Sequence, residues 1–261
     1  VHKSYTLGKV TTAGDDEVNL HLGIHHDNTE YYIDNIKLKG KYDDYFIASD
    51  DNKLIDICEK NDSKSYTSWD KPILVNDGQS VDIRTARYSW LNSKMEGTGT
   101  INLYAGGERT YLGNKTAKNY HPDWTLFKGT LNIYPYKEVE QGAGFYGLVW
   151  QSGKTFAPDN AAQNADNGNI NPCFAQAHVV LHDGATLACE SGKRGLRIAR
   201  LDTEEGSTLY GYLKSNEKND GYYMVGNDDT DATLAGRIIP FGGSNLKVKV
   251  GLVKEGKGTY R

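Results

Sequence analysis

The stretch Asp183-Gly184-Ala185-Thr186-Leu187, followed at 205 by Glu205-Gly206-Ser207-Thr208-Leu209, decides how this chain is read. Each copy runs acidic turn residue, Gly, small residue, Ser or Thr, then an aliphatic. An earlier copy is Asp77-Gly78-Gln79-Ser80-Val81, and a degraded one is Thr230-Asp231-Ala232-Thr233-Leu234. The last three copies lie 22 and 25 residues apart, and another step of 25 reaches Gly256 in Glu255-Gly256-Lys257-Gly258-Thr259-Tyr260. A second phrase, aliphatic-x-Gly-x-aliphatic, occurs as Leu209–Leu213 and Leu234–Ile238, with Leu22-Gly23-Ile24 as a shortened relative. A third is Gly97-Thr98-Gly99-Thr100-Ile101-Asn102-Leu103, echoed by Gly129-Thr130-Leu131-Asn132-Ile133. Period-two segments joined by Gly or Asp turns, repeating every 20–25 residues or so, read as a coiled β-solenoid. Each copy is too short to bury its own apolar face, and stacking sets the aliphatics of one copy over those of the next. An antiparallel sandwich with a turn about every 8–12 residues is the other fold such strands build. Sandwich strands have no reason to repeat their turn chemistry, so the solenoid is the expectation.

Outside these phrases the pattern loosens. Residues 1–70 contain strand-like alternation at Val18–Leu22, Tyr31–Leu38 and Lys53–Ile57, and read as an N-terminal cap or early rungs; residues 71–261 read as the repeats. The segment Phe156–Cys173 carries Asn160, Asn164, Asn167, Asn169 and Asn171 without an apolar period, and reads as a projecting loop.

Composition agrees. The 261 residues include 29 Gly and 18 Tyr against 2 Met and 6 Pro, which disfavours an all-helical protein. Thirty basic and 34 acidic residues are well mixed for a net charge of −4, without the basic face that nucleic acid requires. No apolar run approaches the ~18 residues of a membrane span, so membrane insertion is not expected. The start at Val1-His2-Lys3-Ser4-Tyr5 lacks a signal peptide, which fits either an intracellular chain or one whose leader is cut away. Three cysteines, Cys58, Cys173 and Cys189, with no CxxC argue against a zinc site or disulfide scaffold. A Cys173–Cys189 bond and two buried thiols both remain open readings.

The repeated phrases resemble the passenger domains of autotransporters and related surface proteins of gut Bacteroidetes. The run Gly251–Arg261 resembles the opening of their passenger-associated repeat, and Leu196–Leu201 followed by Glu205–Leu209 resembles the rungs before it. The resemblance covers residues 70–261 and implies a right-handed parallel β-helix of pectin-lyase-like fold and an exported bacterial protein at the cell surface. It carries no catalytic residues. Arg261 falls inside that repeat, so a fragment of a longer chain is expected.

Chemistry is sparse. Gly142-Ala143-Gly144-Phe145-Tyr146-Gly147 spells GxGxxG, but a strand-like run follows where a dinucleotide site needs a helix N-terminus. Gly147–Thr155 resembles a P-loop with one residue too many between its glycines. No Gly-x-Ser-x-Gly nucleophile is present. Adjacent His25-His26-Asp27 and Asp43-Asp44 point to opposite faces of a strand. His178 and His182 share the face opposite Val179 and Leu181, an exposed pair rather than a metal site. Asn227-Asp228-Asp229-Thr230-Asp231 is acidic enough for Ca²⁺ but lacks a known calcium spacing. No metal or cofactor is therefore expected. Arg84, Arg87, Arg109, Arg194, Arg197 and Arg200 are candidates for a polysaccharide groove, without a carboxylate pair stacked for glycoside chemistry.

Aromatics crowd the middle third. Trp90, Tyr104, Arg109, Tyr111, Trp124 and Trp150 are the candidate ligand-binding residues, since sugar rings stack on Tyr and Trp. The competing reading is that Tyr decorates any β surface. The expected function is a non-catalytic adhesion or glycan-contact module whose partner is a glycan or host-surface ligand. The alternatives are a polysaccharide lyase or hydrolase, and the stem of a secreted protease.

Overall fold

A computed structural model describes residues 42–58, 67–86, 89–106, 110–112, 124–137, 146–150, 170–189, 194–211, 221–240 and 250–261. The chain divides into two compact units, Val1–Lys39 and Gly40–Arg261, and every described residue belongs to the second. The expected strands at Val18–Leu22 and Tyr31–Leu38 lie outside the described residues.

The described residues form strands and no helix. In chain order these are β1 (Phe46–Ile47), β2 (Leu54–Asp56), β3 (Thr67–Trp69), β4 (Ile73–Val75), β5 (Ser80–Arg84), β6 (Ser89–Leu91), β7 (Met95–Gly97), β8 (Thr100–Ala105) and β9 (Thr110–Leu112). Next come β10 (Leu126–Phe127), β11 (Thr130–Pro135), β12 (Tyr146–Trp150), β13 (Ile170–Leu181), β14 (Ala185–Cys189) and β15 (Arg194–Thr203). The series closes with β16 (Thr208–Tyr210), β17 (Gly221–Val225), β18 (Arg237–Ile239) and β19 (Val250–Lys254). They make three sheets: β1-β4-β7-β10, β19-β17-β15-β13-β11-β8-β5-β2, and β18-β16-β14-β12-β9-β6-β3. Every pairing between these strands is parallel, which removes the antiparallel sandwich.

The chain visits the sheets in fixed order. From β1 to β12 it passes through the four-, eight- and seven-stranded sheets in turn, four times over. From β13 onward it alternates between the two larger sheets.

Register explains the core. In the eight-stranded sheet Val81, Ile101, Leu131, Val179 and Leu201 are successive partners, and so are Ile83, Leu103, Ile133 and Leu181. All nine are fully buried. Because side chains alternate at period two, the residues between them, Asp82, Asn102 and Asn132, face outward. Burying each large aliphatic contributes roughly 1.5–3 kcal/mol, so a register slip, which would turn a whole column outward, is strongly disfavoured.

The repeated turn phrase does not mark one repeating position. Thr186 and Leu187 pair with Thr208 and Leu209, so those two copies are equivalent and enter the seven-stranded sheet. Ser80 and Val81 instead pair with Thr100 and Ile101 of the third phrase, in the eight-stranded sheet. The second phrase also slips: Leu209 pairs with Ile238, while Leu234 bridges Thr203. At the end of the chain Gly256 sits over Gly226, and the Lys257 amide donates to the Asp229 carboxylate at 2.7 Å, rather than stacking on the turn at 230–231. The physical reason is that corners of parallel sheets demand the same backbone whichever sheet they enter. Gly78, Gly184, Gly206 and Gly256 all have positive φ.

One boundary also moves. β13 begins at Ile170, inside the expected Asn-rich loop, and its register shifts between Asn171 and Phe174, around Pro172. Proline cannot donate to a strand ladder, so a shift there is the expected accommodation.

Candidate functional site

The outward face of the eight-stranded sheet carries the most organised polar and aromatic chemistry among the described residues. It arises from a sequence coincidence. β8 reads Thr100-Ile101-Asn102-Leu103-Tyr104 and β11 reads Thr130-Leu131-Asn132-Ile133-Tyr134, paired residue for residue. Period two sends the aliphatics inward and leaves Thr, Asn and Tyr in three outward columns.

The Asn column is a hydrogen-bonded ladder. Asn102 Nδ2 donates to Asp82 Oδ1 at 2.9 Å, and Asn132 Nδ2 donates to Asn102 Oδ1 at 2.9 Å. His182 closes the ladder, with Nε2 3.3 Å from Asn132 Oδ1 and Nδ1 2.9 Å from Glu204 Oε1. Beside it the aromatic column stacks: the Tyr104 and Tyr134 rings lie 5.1 Å apart at 18°, and Tyr134 lies flat on His182 at 3.9 Å and 9°. Tyr136 meets Tyr104 edge-on at 6.4 Å. Such offset and edge contacts suit the ring quadrupoles and fix the rings in place. Burial, then the nearby Asp82 carboxylate, pushes the Tyr104 hydroxyl above the ordinary tyrosine value. Burial does the same for Tyr134, helped by Tyr104 and Glu204. Both phenols therefore stay protonated at neutral pH and can donate hydrogen bonds.

An open cleft of about 630 Å³ lies at this column, lined among the described residues by Arg84, Tyr104, Tyr134, Pro135, Tyr136 and Lys137. Arg84 Nη1 lies 3.8 Å from Asp56 Oδ2 on the neighbouring strand β2.

The histidines anticipated as an outward pair do share a face, each half-buried, with His178 beside the fully buried Val179 and His182 beside the fully buried Leu181. Each is bound across to the next strand instead of to the other. His178 Nε2 and Arg200 Nε both lie 2.7 Å from Asp202 Oδ2, and the Thr233 amide donates to Oδ1 at 2.7 Å. Burial alone would raise the Asp202 carboxyl, but the Thr233 amide, His178 and Arg200 together hold it below the usual carboxylate range. Glu204 is also lowered, first by the Asp183 amide and then by His182.

Four of the six sequence candidates have described side chains, and these four do not converge. Among them only Tyr104 belongs to this face and its cleft. Trp90 on β6 and Tyr111 on β9 stack on each other at 5.5 Å and 12°, in the seven-stranded sheet. Trp124 is fully enclosed; it meets Phe174 edge-on and donates its indole N–H to the Ser93 carbonyl at 3.1 Å, so its ring offers no face to a ligand. Trp150 pairs by its backbone with Leu112 and Cys189, and its side chain lies outside the described residues, as does Arg109. Of the other arginines, Arg197 is clamped by Glu255 through two hydrogen bonds of 3.1 and 3.0 Å, while Arg87 and the Arg194 side chain lie outside the described residues. Cys173 is buried, and the Cys189 side chain lies outside the described residues.

The acidic turn at 227–231 is occupied with backbone work. Asp228 caps Thr230, Asp229 accepts from the Lys257 amide, and Asp231 accepts from the Thr259 amide at 2.6 Å. Among the described residues no group of three His, Cys, Asp or Glu side chains is arranged to hold a metal ion, and no helix is long and apolar enough to cross a membrane. Outside the six candidates, Tyr134, Asn102 and Asn132 carried one signal, the repeated Thr-x-Asn-x-Tyr at 100–104 and 130–134; Tyr136 stood only as one more aromatic of the crowded middle third, and Asp82 joins the ladder through strand register alone.

No protein-family model matches the chain, and no curated protein is significantly similar to it.

Proposed function

We propose that the described unit is a right-handed parallel β-helix of an exported bacterial surface protein, built in the manner of an autotransporter passenger domain, and that it serves as a non-catalytic glycan-contact or adhesion module. The fixed order in which the chain visits three wholly parallel sheets supports the coil. Its hand follows from the near-universal preference for right-handed crossovers between parallel strands. Parallel sheets in ordinary α/β folds are covered on both faces; here the eight-stranded sheet alternates aliphatic and polar residues, as a coil with one solvated face does.

The observation that carries the functional reading is the stacked Tyr104–Tyr134–His182 column, alongside the Asp82–Asn102–Asn132 ladder and the cleft at its edge. Ring edges, phenol hydroxyls and side-chain amides, held rigid by one sheet, suit the mixed apolar and hydroxyl surface of a saccharide. A preorganised surface of this kind loses little side-chain freedom on binding. The test is a glycan array with the wild-type chain and Tyr136→Ala, followed by analysis of the bound glycan. Retention of intact glycan by the wild type and its loss in the variant support the module. Release of unsaturated or reducing ends would replace it with a polysaccharide-active enzyme. Neither binding nor turnover would leave the stem of another domain.

A further inference from the structure

The cleft beside the tyrosine column has a charge character that sets it apart from the chain as a whole. The protein carries a net −4, yet both charged side chains lining the cleft among the described residues are basic, Arg84 and Lys137. They approach from different strands' ends. Arg84 closes β5, in register with Tyr104, and Lys137 follows β11, three residues past Tyr134. Between them stand three tyrosines and Pro135. Among the described residues the three acids near this space already have partners: Asp82 accepts the Asn102 amide, Glu204 accepts the Asp183 amide and contacts His182, and Asp56 lies against Arg84 at 3.8 Å from the neighbouring strand. That spacing is looser than a tight ion pair, so the Arg84 fork keeps donors for a second oxygen group.

From this lining we infer that the cleft selects saccharides bearing an anionic group, a carboxylate or a sulfate, held between Arg84 and Lys137 while the sugar lies against Tyr136 and Tyr134. The inference rests on the glycan-contact reading and narrows its ligand class. Guanidinium matches the two oxygens of a carboxylate or sulfate in a fork, while ammonium contributes a compact charge. The protonated phenols of Tyr104 and Tyr134 add neutral donors without repelling the anion. An acid on the rim would defeat this arrangement, and none lines the cleft among the described residues.

The experiment is calorimetric titration of the full chain with three oligosaccharide probes of equal length: a polyuronate, a sulfated glycan and a neutral glucan. Each is measured at low and high salt and repeated with Arg84→Gln, Lys137→Gln, Arg84→Lys and, as a control on another sheet, Arg237→Gln. The expected result is binding of at least one acidic probe about tenfold or more above the neutral one, weakening as salt rises. Arg84→Gln and Lys137→Gln each reduce that affinity about tenfold, Arg84→Lys reduces it less, and Arg237→Gln leaves it unchanged. Whichever acidic probe binds tighter identifies the source of the anion. Thermal unfolding of each variant separates loss of the site from loss of the fold. Equal affinity for neutral and acidic probes, or acidic binding indifferent to Arg84→Gln and Lys137→Gln, would overturn the inference and leave glycan contact standing. Failure of every probe would overturn both.

Discussion

Asp202 on the outward face of the eight-stranded sheet gathers three partners among the described residues, and its titration follows from them. His178, Arg200 and the Thr233 amide all contact it at 2.7 Å. They hold its folded pKa below the unfolded value of about 3.9. A depressed carboxyl adds stability that is fully present above its unfolded pKa and is lost as pH falls through the folded one. Asp202→Asn is therefore expected to cost roughly 1–3 kcal/mol near neutral pH, with the gap from wild type closing below about pH 4. Urea-unfolding midpoints measured from pH 7 to pH 2.5 check this, and a gap independent of pH would contradict it. The sequence placed His178 and His182 on one outward face from their spacing alone. It could not reveal their carboxylate partners, since Asp202 and Glu204 are brought opposite only by the pairing of β13 with β15.

Turns show most clearly what a local signal can and cannot encode. Gly97 ends β7 with φ 108°, and a Cβ there would lie 2.0 Å from the Val75 carbonyl of the neighbouring strand. Gly78 also has positive φ, 72°, but a Cβ there would meet nothing within 4 Å. The conformational penalty for an L-residue, about 1–2 kcal/mol, applies to both. Only Gly97 adds a clash with immovable backbone. Gly97→Ala is expected to destabilise by more than about 3 kcal/mol and Gly78→Ala by about 1 kcal/mol. Denaturant midpoints of the two variants decide the matter, and equal losses would contradict the close approach. In sequence the two glycines look alike, each followed within three residues by Ser or Thr and then an aliphatic. Turn chemistry reports that a corner exists, while the sheet it feeds depends on strand lengths elsewhere. That is why Asp77–Val81 resembles Asp183–Leu187 and yet enters a different sheet. The Tyr104–Tyr134 column, by contrast, was legible in principle, because both strands repeat the same five-residue pattern. Trp124 was not: a lone indole in an irregular stretch looks the same whether it faces solvent or Phe174.

At the scale of the whole molecule, one organising fact underlies core and surface alike. Strands from distant parts of the chain lie parallel and in register, so identical positions stack into columns, aliphatic inside and polar or aromatic outside. Among the described residues glycine sits at corners and Tyr104 and Tyr134 stand on an outward column, while Tyr223 fills the core, with only two aliphatics per strand in columns such as Val81 and Ile83. The glycan-contact reading and the cleft's charge selectivity both presuppose that stacking. Ser80, Thr100, Thr130, His178 and Arg200 form one column by register, so Ser80 and Arg200, 120 residues apart in sequence, are separated by four strand spacings. At about 4.8 Å per spacing, that is about 19 Å. Pulsed electron-spin resonance between nitroxide labels at Ser80→Cys and Arg200→Cys, with the native cysteines replaced, measures it directly. A narrow distribution centred near 19 Å, widened by the label arms, is the predicted result; a centre beyond about 40 Å or a broad featureless distribution would contradict the stacked parallel sheet and everything built on it.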